Sequence, residues 1–272
     1  DAVWDSKEGL AAEARAENPA PKQTTGRASK AGPATAADLP GFVPPQLCRS
    51  VERPPAGSGW LHEIKFDGYR IQARVAGGKV TLKTRKGLDW TKRFGAVAQA
   101  FKSLPDCIVD GEIVALDEHG APDFAALQAA LSEEKTENLV FFAFDLLFLD
   151  GEDWREQPLL ARKQRLTALL RDAADGITLR YVEHFETGGD AVLKSACRLS
   201  LEGIVSKRSD APYVSGRSDG WTKAKCRAGQ EVVIGGWATT AGKFRSLLVG
   251  VHRGPHFIYI GRVGTGYGAA KV

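Results

Sequence analysis

Lys65-Phe66-Asp67-Gly68-Tyr69-Arg70 sets a lysine two residues before Asp-Gly and five before an arginine. A lysine ε-amine attacks an electrophile only when neutral. At an ordinary pKa of about 10.4, a fraction on the order of one in two thousand is neutral at pH 7. Nearby positive charge or removal from water favours the neutral amine. Lys223 and Lys225 alternate in Trp221-Thr222-Lys223-Ala224-Lys225, so on a strand both point to one face, and two cations there would supply such charge. Glu112 and Glu202 stand beside glycines in the otherwise apolar stretches VDGEIV and EGIV, and carboxylates are the ligands that hard divalent cations prefer. Taken singly, each of these features is more often a solvated side chain on a strand.

Such residues need a frame. IQARVAGGKVTLKT alternates on both sides of Gly77-Gly78 and reads as a β-hairpin. Phe94, Val97, Ala98 and Phe101 recur at helical spacing after Trp90. CIVDGEIVAL and LVFFAFDLLFL read as strands, the second apolar on both faces and therefore central. A helix is predicted over 159–171, with Leu166, Leu169 and Leu170 on one side, and GIVSKR and WTKAKC are short strands. Strands and helices alternate without regular βαβ spacing, which predicts an α+β domain on antiparallel sheets over residues 41–228. Beyond it EVVIGGW, SLLVGVHR and HFIYIGRVG predict the start of a small all-β barrel or sandwich over 229–272. Three strands are too few to close one. Residues 1–40 read as a tail and flexible linker: 11–40 is rich in Ala, Pro, Thr, Lys and Gly, and its alanines allow a short helix near 10–17.

The 272 residues carry a net charge of only +4, so any basic groove must come from local arrangement. Cys48, Cys107, Cys197 and Cys226 form no CxxC pair, which argues against a zinc ribbon and a disulfide framework and fits a reducing cytosol. No stretch approaches the roughly 20 apolar residues of a membrane span, and no signal peptide opens the chain. The chain contains no methionine, even at position 1, and is expected to be a piece of a longer protein.

The lysine stretch becomes specific through its companions: Thr84-Arg85, Val109-Asp110-Gly111-Glu112-Ile113-Val114, Phe142-Ala143-Phe144-Asp145-Leu146-Leu147, Glu202-Gly203-Ile204-Val205 and the Lys223/Lys225 stretch. In this order, from about Pro45 to Lys225, they resemble the covalent nucleotidyltransferases and, most closely, the ATP-dependent DNA ligases. The amino-terminal DAVWDSKEGL followed by a linker is similar to the arrangement in the bacterial multifunctional ligase D of non-homologous end joining. The resemblance implies an antiparallel-sheet nucleotidyltransferase (adenylation) domain followed by the beginning of an OB-fold. It implies Lys65 as the nucleophile that attacks the α-phosphate of ATP to give lysyl-AMP, with Lys223 and Lys225 at that phosphate. Arg70 and Arg85 correspond to contacts with the ribose and a phosphate, and Glu63 and Ile64 to positions at the adenine edge. Phe144 corresponds to the aromatic platform under adenine, with Phe142 on the same strand face as the alternative. Glu112 and Glu202 correspond to two acids near Mg²⁺ or Mn²⁺, Glu112 also reaching the ribose. Gly68 would let the backbone turn sharply and approach the nucleotide, and Asp67 would hold that turn or orient Lys65. His62 receives no role.

The implied activity is sealing of nicks or breaks in duplex DNA, gripped through its phosphates. Expected partners are nicked or broken DNA and bacterial end-joining proteins such as Ku, with the enzyme a cytoplasmic, nucleoid-associated monomer. The basic block that closes the family's OB-fold over ATP does not occur in this sequence, so the chain is expected to adenylate itself slowly or not at all. RNA ligases and GTP-using capping enzymes share the lysine block and would be told apart by nucleotide choice. NAD-dependent ligases lack support because their zinc cysteines are absent, and a scaffold that only binds nucleotide or DNA would have no need of the nucleophile.

Overall fold

Gly77 and Gly78 both take positive φ, +56° and +74°, the geometry that a two-residue type I′ turn demands. They join the strands on either side in the computed structural model, which describes residues 39–173, 176–186, 188–226, 232–240 and 242–264. The expected linker and its short helix lie, up to residue 38, outside the described residues. Leu39 is already buried, and Arg74 donates to the carbonyl oxygens of Leu39 and Pro40.

The chain begins with β1 (Gln46–Ser50), β2 (Trp60–Ile64), β3 (Tyr69–Ala76) and β4 (Lys79–Thr84), then α1 (Gly95–Ala100) flanked by 3₁₀ turns. Next come β5 (Cys107–Val114), α2 (Phe124–Ser132), β6 (Val140–Leu149), β7 (Glu152–Asp153) and α3 (Leu159–Ala173). After them run β8 (Leu179–Tyr181), β9 (His184–Phe185), α4 (Gly189–Arg198), β10 (Gly203–Arg208) and β11 (Gly216–Lys225). The last elements are β12 (Val233–Thr240), β13 (Lys243–Arg253) and β14 (His256–Val263).

Among the described residues the strands form three sheets. One has the order β1-β11-β10-β2-β9, one β4-β3-β5-β6-β7 with β8 beside β6, and β12-β13-β14 is a separate meander. The α+β class holds, but the sheets are not wholly antiparallel. β1 runs parallel to β11 and β8 parallel to β6. Both parallel pairs join strands far apart in sequence, so no hairpin signal marks them.

The apolar character of β6 on both faces has two causes. Phe141, Ala143 and Leu146 belong to a core with Leu166, Leu169 and Leu170 of α3, while Leu147 and Phe148 belong to a second core with Trp221 and Tyr213. The meander exposes Ile234, Trp237, Ile258 and Tyr259, so three strands alone enclose no core.

A disulfide between Cys197, in the last turn of α4, and Cys226, just beyond β11, corrects the reading of four unpaired cysteines. Packing of α4 on β10 brings together two residues that sequence spacing kept apart. Cys48 and Cys107 remain free. Alkylation of the denatured, unreduced chain should label two thiols, and labelling after reduction should give four. From the 29-residue separation, replacing the bridge with two alanines should lower unfolding free energy by about 3–4 kcal/mol, measured by denaturant titration.

Candidate active site

Lys65 follows the last residue of β2, and its amide donates to Gly203 O at 3.0 Å, fixing the end of one strand to the start of β10. Its ammonium contacts Glu202 Oε2, and Lys225 Nζ lies 3.0 Å from the other oxygen of the same carboxylate. Burial pushes the Glu202 carboxyl up, but the hydrogen bonds and charges of Lys65 and Lys225 outweigh it and hold the group below the usual carboxylate range. Glu202 is therefore an anionic bridge between two lysines.

A cavity of about 290 Å³ opens beside this bridge. Its wall receives Glu63 and Ile64 from β2, Lys65, Arg70 from β3, Arg85 from the turn after β4, Glu112 from β5, Phe144 from β6 and Lys223 from β11. Strand register explains the grouping. Glu63, Val205 and Lys223 are neighbours across β2, β10 and β11, and Arg70 is the register partner of Glu112 across β3 and β5. Eight of the expected residues thus share one space. Glu202 and Lys225 are not on the cavity wall and connect to it through Lys65.

Several side chains are more committed than their sequence suggests. Arg70 Nε and Nη2 donate to Asp110 at 3.1 and 2.6 Å, and Nη1 donates to Gln46 O at 2.6 Å. Burial disfavours the Arg70 charge, and the Asp110 carboxylate more than compensates. Glu112 is pushed up to about 8, chiefly by burial, with Arg70 and Lys65 pulling the other way. Asp67 is raised by burial and by the Glu202 charge. Glu63 is only 2% exposed, and Lys163 and Lys207 lie 2.6 and 2.5 Å from its two oxygens.

The two phenylalanines separate clearly. Phe142 stacks on Phe66 at 4.2 Å, whereas Phe144 faces the cavity with its ring edge-on to Trp221. His62 is buried and hydrogen-bonded to Ser206 Oγ, a structural contact between β2 and β10. Gly68 serves a different need from the one its Asp-Gly context suggests. Its φ is not positive, and a Cβ there would lie 2.3 Å from Ile113 O and 2.8 Å from Val114 Cγ1. The glycine lets the Lys65 segment press against β5.

Sequence reasoning missed Asp110, Tyr213, Lys163, Lys207 and Trp221 as parts of this site. Lys207 had a signal, a cation in the strand GIVSKR two residues after Val205 and so on the same face. Lys163 had none, because it lies 100 residues from the carboxylate it holds.

Residues 45–225 match the family model of the ATP dependent DNA ligase domain. Over 260 residues the chain is 40% identical to the multifunctional non-homologous end joining protein LigD of Pseudomonas aeruginosa, an alignment covering 93% of this chain and 30% of that protein. It is 35% identical to the corresponding LigD of Mycobacterium tuberculosis over 77% of this chain and 28% of that protein. The chain thus spans less than a third of the length of these relatives. Among solved structures, a mycobacterial DNA ligase D complexed with ATP superposes with a TM-score of 0.63 at 32% identity, covering 84% of this chain and 73% of that one. The ligase domain of M. tuberculosis LigD gives 0.59 at 31% identity, with 84% and 74% covered.

Two outcomes are expected from this geometry. Gly68→Ala must displace backbone and should cost about 1–3 kcal/mol of stability, read from denaturant melts. Glu112 stays protonated in the folded chain up to about pH 8 but ionises from about pH 4.5 when unfolded. The folded state therefore binds more protons between these values, and its stability should fall as pH rises through that window. In metal-free buffer, Glu112→Gln should show a shallower fall over the same range.

Proposed function

Since the chain belongs to the ATP-dependent DNA ligase family, we propose that it captures AMP from ATP on Lys65 and passes it to a 5′-phosphate of nicked or broken duplex DNA. The observation that carries this reading is the Lys65–Glu202–Lys225 bridge at the edge of a cavity lined by Arg85, Glu112, Phe144 and Lys223. A covalent nucleophile, an adjacent acceptor for its proton and cations for phosphate oxygens are the parts that nucleotidyl transfer requires.

In the reading proposed here, Lys65 gives up a proton, for which Glu202 is the acceptor already in contact. The amine then forms an N–P bond to the α-phosphate of ATP while the bond from that phosphorus to the bridging oxygen breaks, releasing pyrophosphate. AMP passes next to the DNA 5′-phosphate, and a 3′-OH displaces it as the strand is sealed. Lys223 and Arg85 face the phosphates, and Glu112 has a free carboxyl for the ribose. Phe144 offers a ring face to the adenine.

Glu112 and Glu202 fit a hard divalent cation by donor type, and among the described residues no group of three or more His, Cys, Asp and Glu could hold a metal. These carboxylates would therefore hold Mg²⁺ or Mn²⁺ together with substrate phosphate oxygens. Bound there, the cation supplies neutralisation of phosphate charge.

We read residues 41–228 as the adenylation domain and 229–272 as the start of an OB-fold. The likeness to end-joining LigD proteins supports a place in double-strand break repair in the bacterial cytoplasm, at the nucleoid, with Ku-type proteins as partners and the chain as a monomer. No helix among the described residues is long and apolar enough to cross a membrane.

Intact mass before and after incubation with ATP and Mg²⁺ tests this function. A gain of about 329 Da, one AMP moiety, building up slowly over a prolonged incubation, is expected for the wild type and should vanish in Lys65→Ala. A gain with GTP but not ATP would move the assignment to capping chemistry.

A further inference from the structure

The Cys197–Cys226 disulfide closes a segment that contains two of the three members of the Lys65–Glu202–Lys225 bridge. Cys226 follows Lys225 directly, and its amide donates to Glu202 O at 3.0 Å. Cys197 lies in the last turn of α4, and the Leu201 amide reaches back to Ala196 O at 3.0 Å, so the helix end is coupled to the residue before Glu202. Gly203, the residue after it, is the register partner of Lys225 and accepts from the Lys65 amide. Between the helix and Glu202, Ser200 has a φ of +59°, a left-handed conformation that a serine keeps only while its surroundings enforce it. The apolar cluster at this corner is small, with Ala196, Ile204 and Ala224 as its buried members among the described residues. Two alanines and one isoleucine bury little area, so the covalent link has a large share in holding the end of β11. Both cysteines are partly exposed, and Arg198 and Lys225 flank them in sequence. Accessible thiols beside cations, each with a resolving partner, are the kind that oxidants and small thiols reach. In a bacterial cytoplasm, where thiols are kept reduced, a disulfide is usually transient and catalytic or redox-sensing.

We propose that Cys197 and Cys226 are a redox-modification site that regulates capture of AMP: the closed disulfide holds Lys225 on Glu202 and slows adenylation, and the open dithiol releases it. The inference rests on the nucleotidyl-transfer reading of Lys65 and assigns its regulation. Lys65 reacts only after its contact with Glu202 is exchanged for one with substrate, and Lys225 must then follow the carboxylate or leave it. With the disulfide closed, the backbone one residue from Lys225 is tied to the end of α4, which narrows the positions open to that ammonium. With it open, β11 ends on its pairing to β10 and the single Cys226 amide bond to Glu202 O. A hydroperoxide closes the bridge: one thiolate attacks a peroxide oxygen, giving a sulfenic acid and an alcohol or water. The second thiol then displaces water from that sulfur as the S–S bond forms, and two electrons pass from the sulfurs to the peroxide. Two molecules of a small thiol such as glutathione reopen it. They supply two electrons and two protons and leave as one small disulfide, with both protein thiols restored.

The test uses the whole chain, equilibrated in glutathione mixtures of rising reduced fraction and then incubated for a prolonged time with ATP and Mg²⁺. Intact mass gives the rate of adduct formation, and alkylation of the same samples counts the free thiols. The rate should rise at least about fivefold, the lower end of usual coupling between two sites, as the count goes from two to four. It should fall back when peroxide closes the bridge again. Cys197→Ser cannot form the bridge and should run at the rate of the reduced chain in every mixture. A variant that still responds to the mixtures would place the sensitivity on Cys48 or Cys107 and overturn the proposal. A bridge that stays closed in all mixtures, equal rates in the two states, or a faster closed form would overturn it as well. Those three outcomes need only the wild type, so they stand whether or not the variant folds. Absence of any adduct in both states would overturn the nucleotidyl-transfer reading itself, and this inference with it.

Discussion

Between the two large sheets lies a largely buried ion pair that ties together the two walls of the cavity. Arg70 of β3 and Asp110 of β5 belong to one sheet, and Gln46 of β1, whose carbonyl Arg70 also reaches, belongs to the other. Tyr213 completes the network by donating to Asp110 at 2.6 Å and accepting from the Gln46 amide at 3.0 Å. Removing one member of such a buried pair leaves a charge without compensation, typically a loss of about 3–5 kcal/mol. The separation between the Glu112 wall and the Glu63–Lys223 wall of the cavity is therefore set by a directional network rather than by apolar contact alone.

The same distinction sorts the charges around the cavity. Arg70 has its donors used by protein acceptors, and so does Arg162, buried at 0% exposure against Asp145 with further bonds to Gln157 O and Ala211 O. These guanidiniums fix geometry. Lys65 is held differently, in a partly exposed contact with Glu202 that a substrate can compete with. The site thus combines a pre-formed frame of satisfied charges with a smaller set of incompletely satisfied ones. Phe144 stands at the junction of the two sets, with the Arg70 guanidinium 5.2 Å and the Lys207 ammonium 4.4 Å from its centroid.

Much of this was legible in the residues. The Gly77-Gly78 hairpin, the double-sided β6 and the lysines of β11 follow from patterns within about ten residues, where periodicity is informative. The eight expected residues on the cavity wall were legible only as an ordered set, because none has a spacing that demands its role. What stayed hidden depends on long-range contact. The parallel β1–β11 pairing, the Cys197–Cys226 bridge and the Lys163–Glu63 contact each join segments that no local rule connects. Gly68 was legible as special only in part: the chain does bend there, as its Asp-Gly context suggested, but what excludes a side chain is the oxygen of Ile113.

That constraint bears on how rigidly Lys65 is presented. Gly68 presses on β5 beside Ile113, the residue after Glu112, and Gly111, the residue before Glu112, has no room for a Cβ because Phe141 Cε1 would lie 2.2 Å away. Gly68, just before β3, thus lets the lysine segment close on the Glu112 strand, while Gly111 lets β6 close on that strand from its other neighbour. Lys65 is tied in addition to Gly203 O by its own amide. The backbone that bears the amine is consequently fixed on two sides, and the freedom left to the site lies in the side chains of Lys65, Glu202 and Lys225. Rearranging that bridge, rather than moving the strands, is the smallest change that frees the amine, and it requires only a competing ligand for the Glu202 carboxylate or for the two ammoniums.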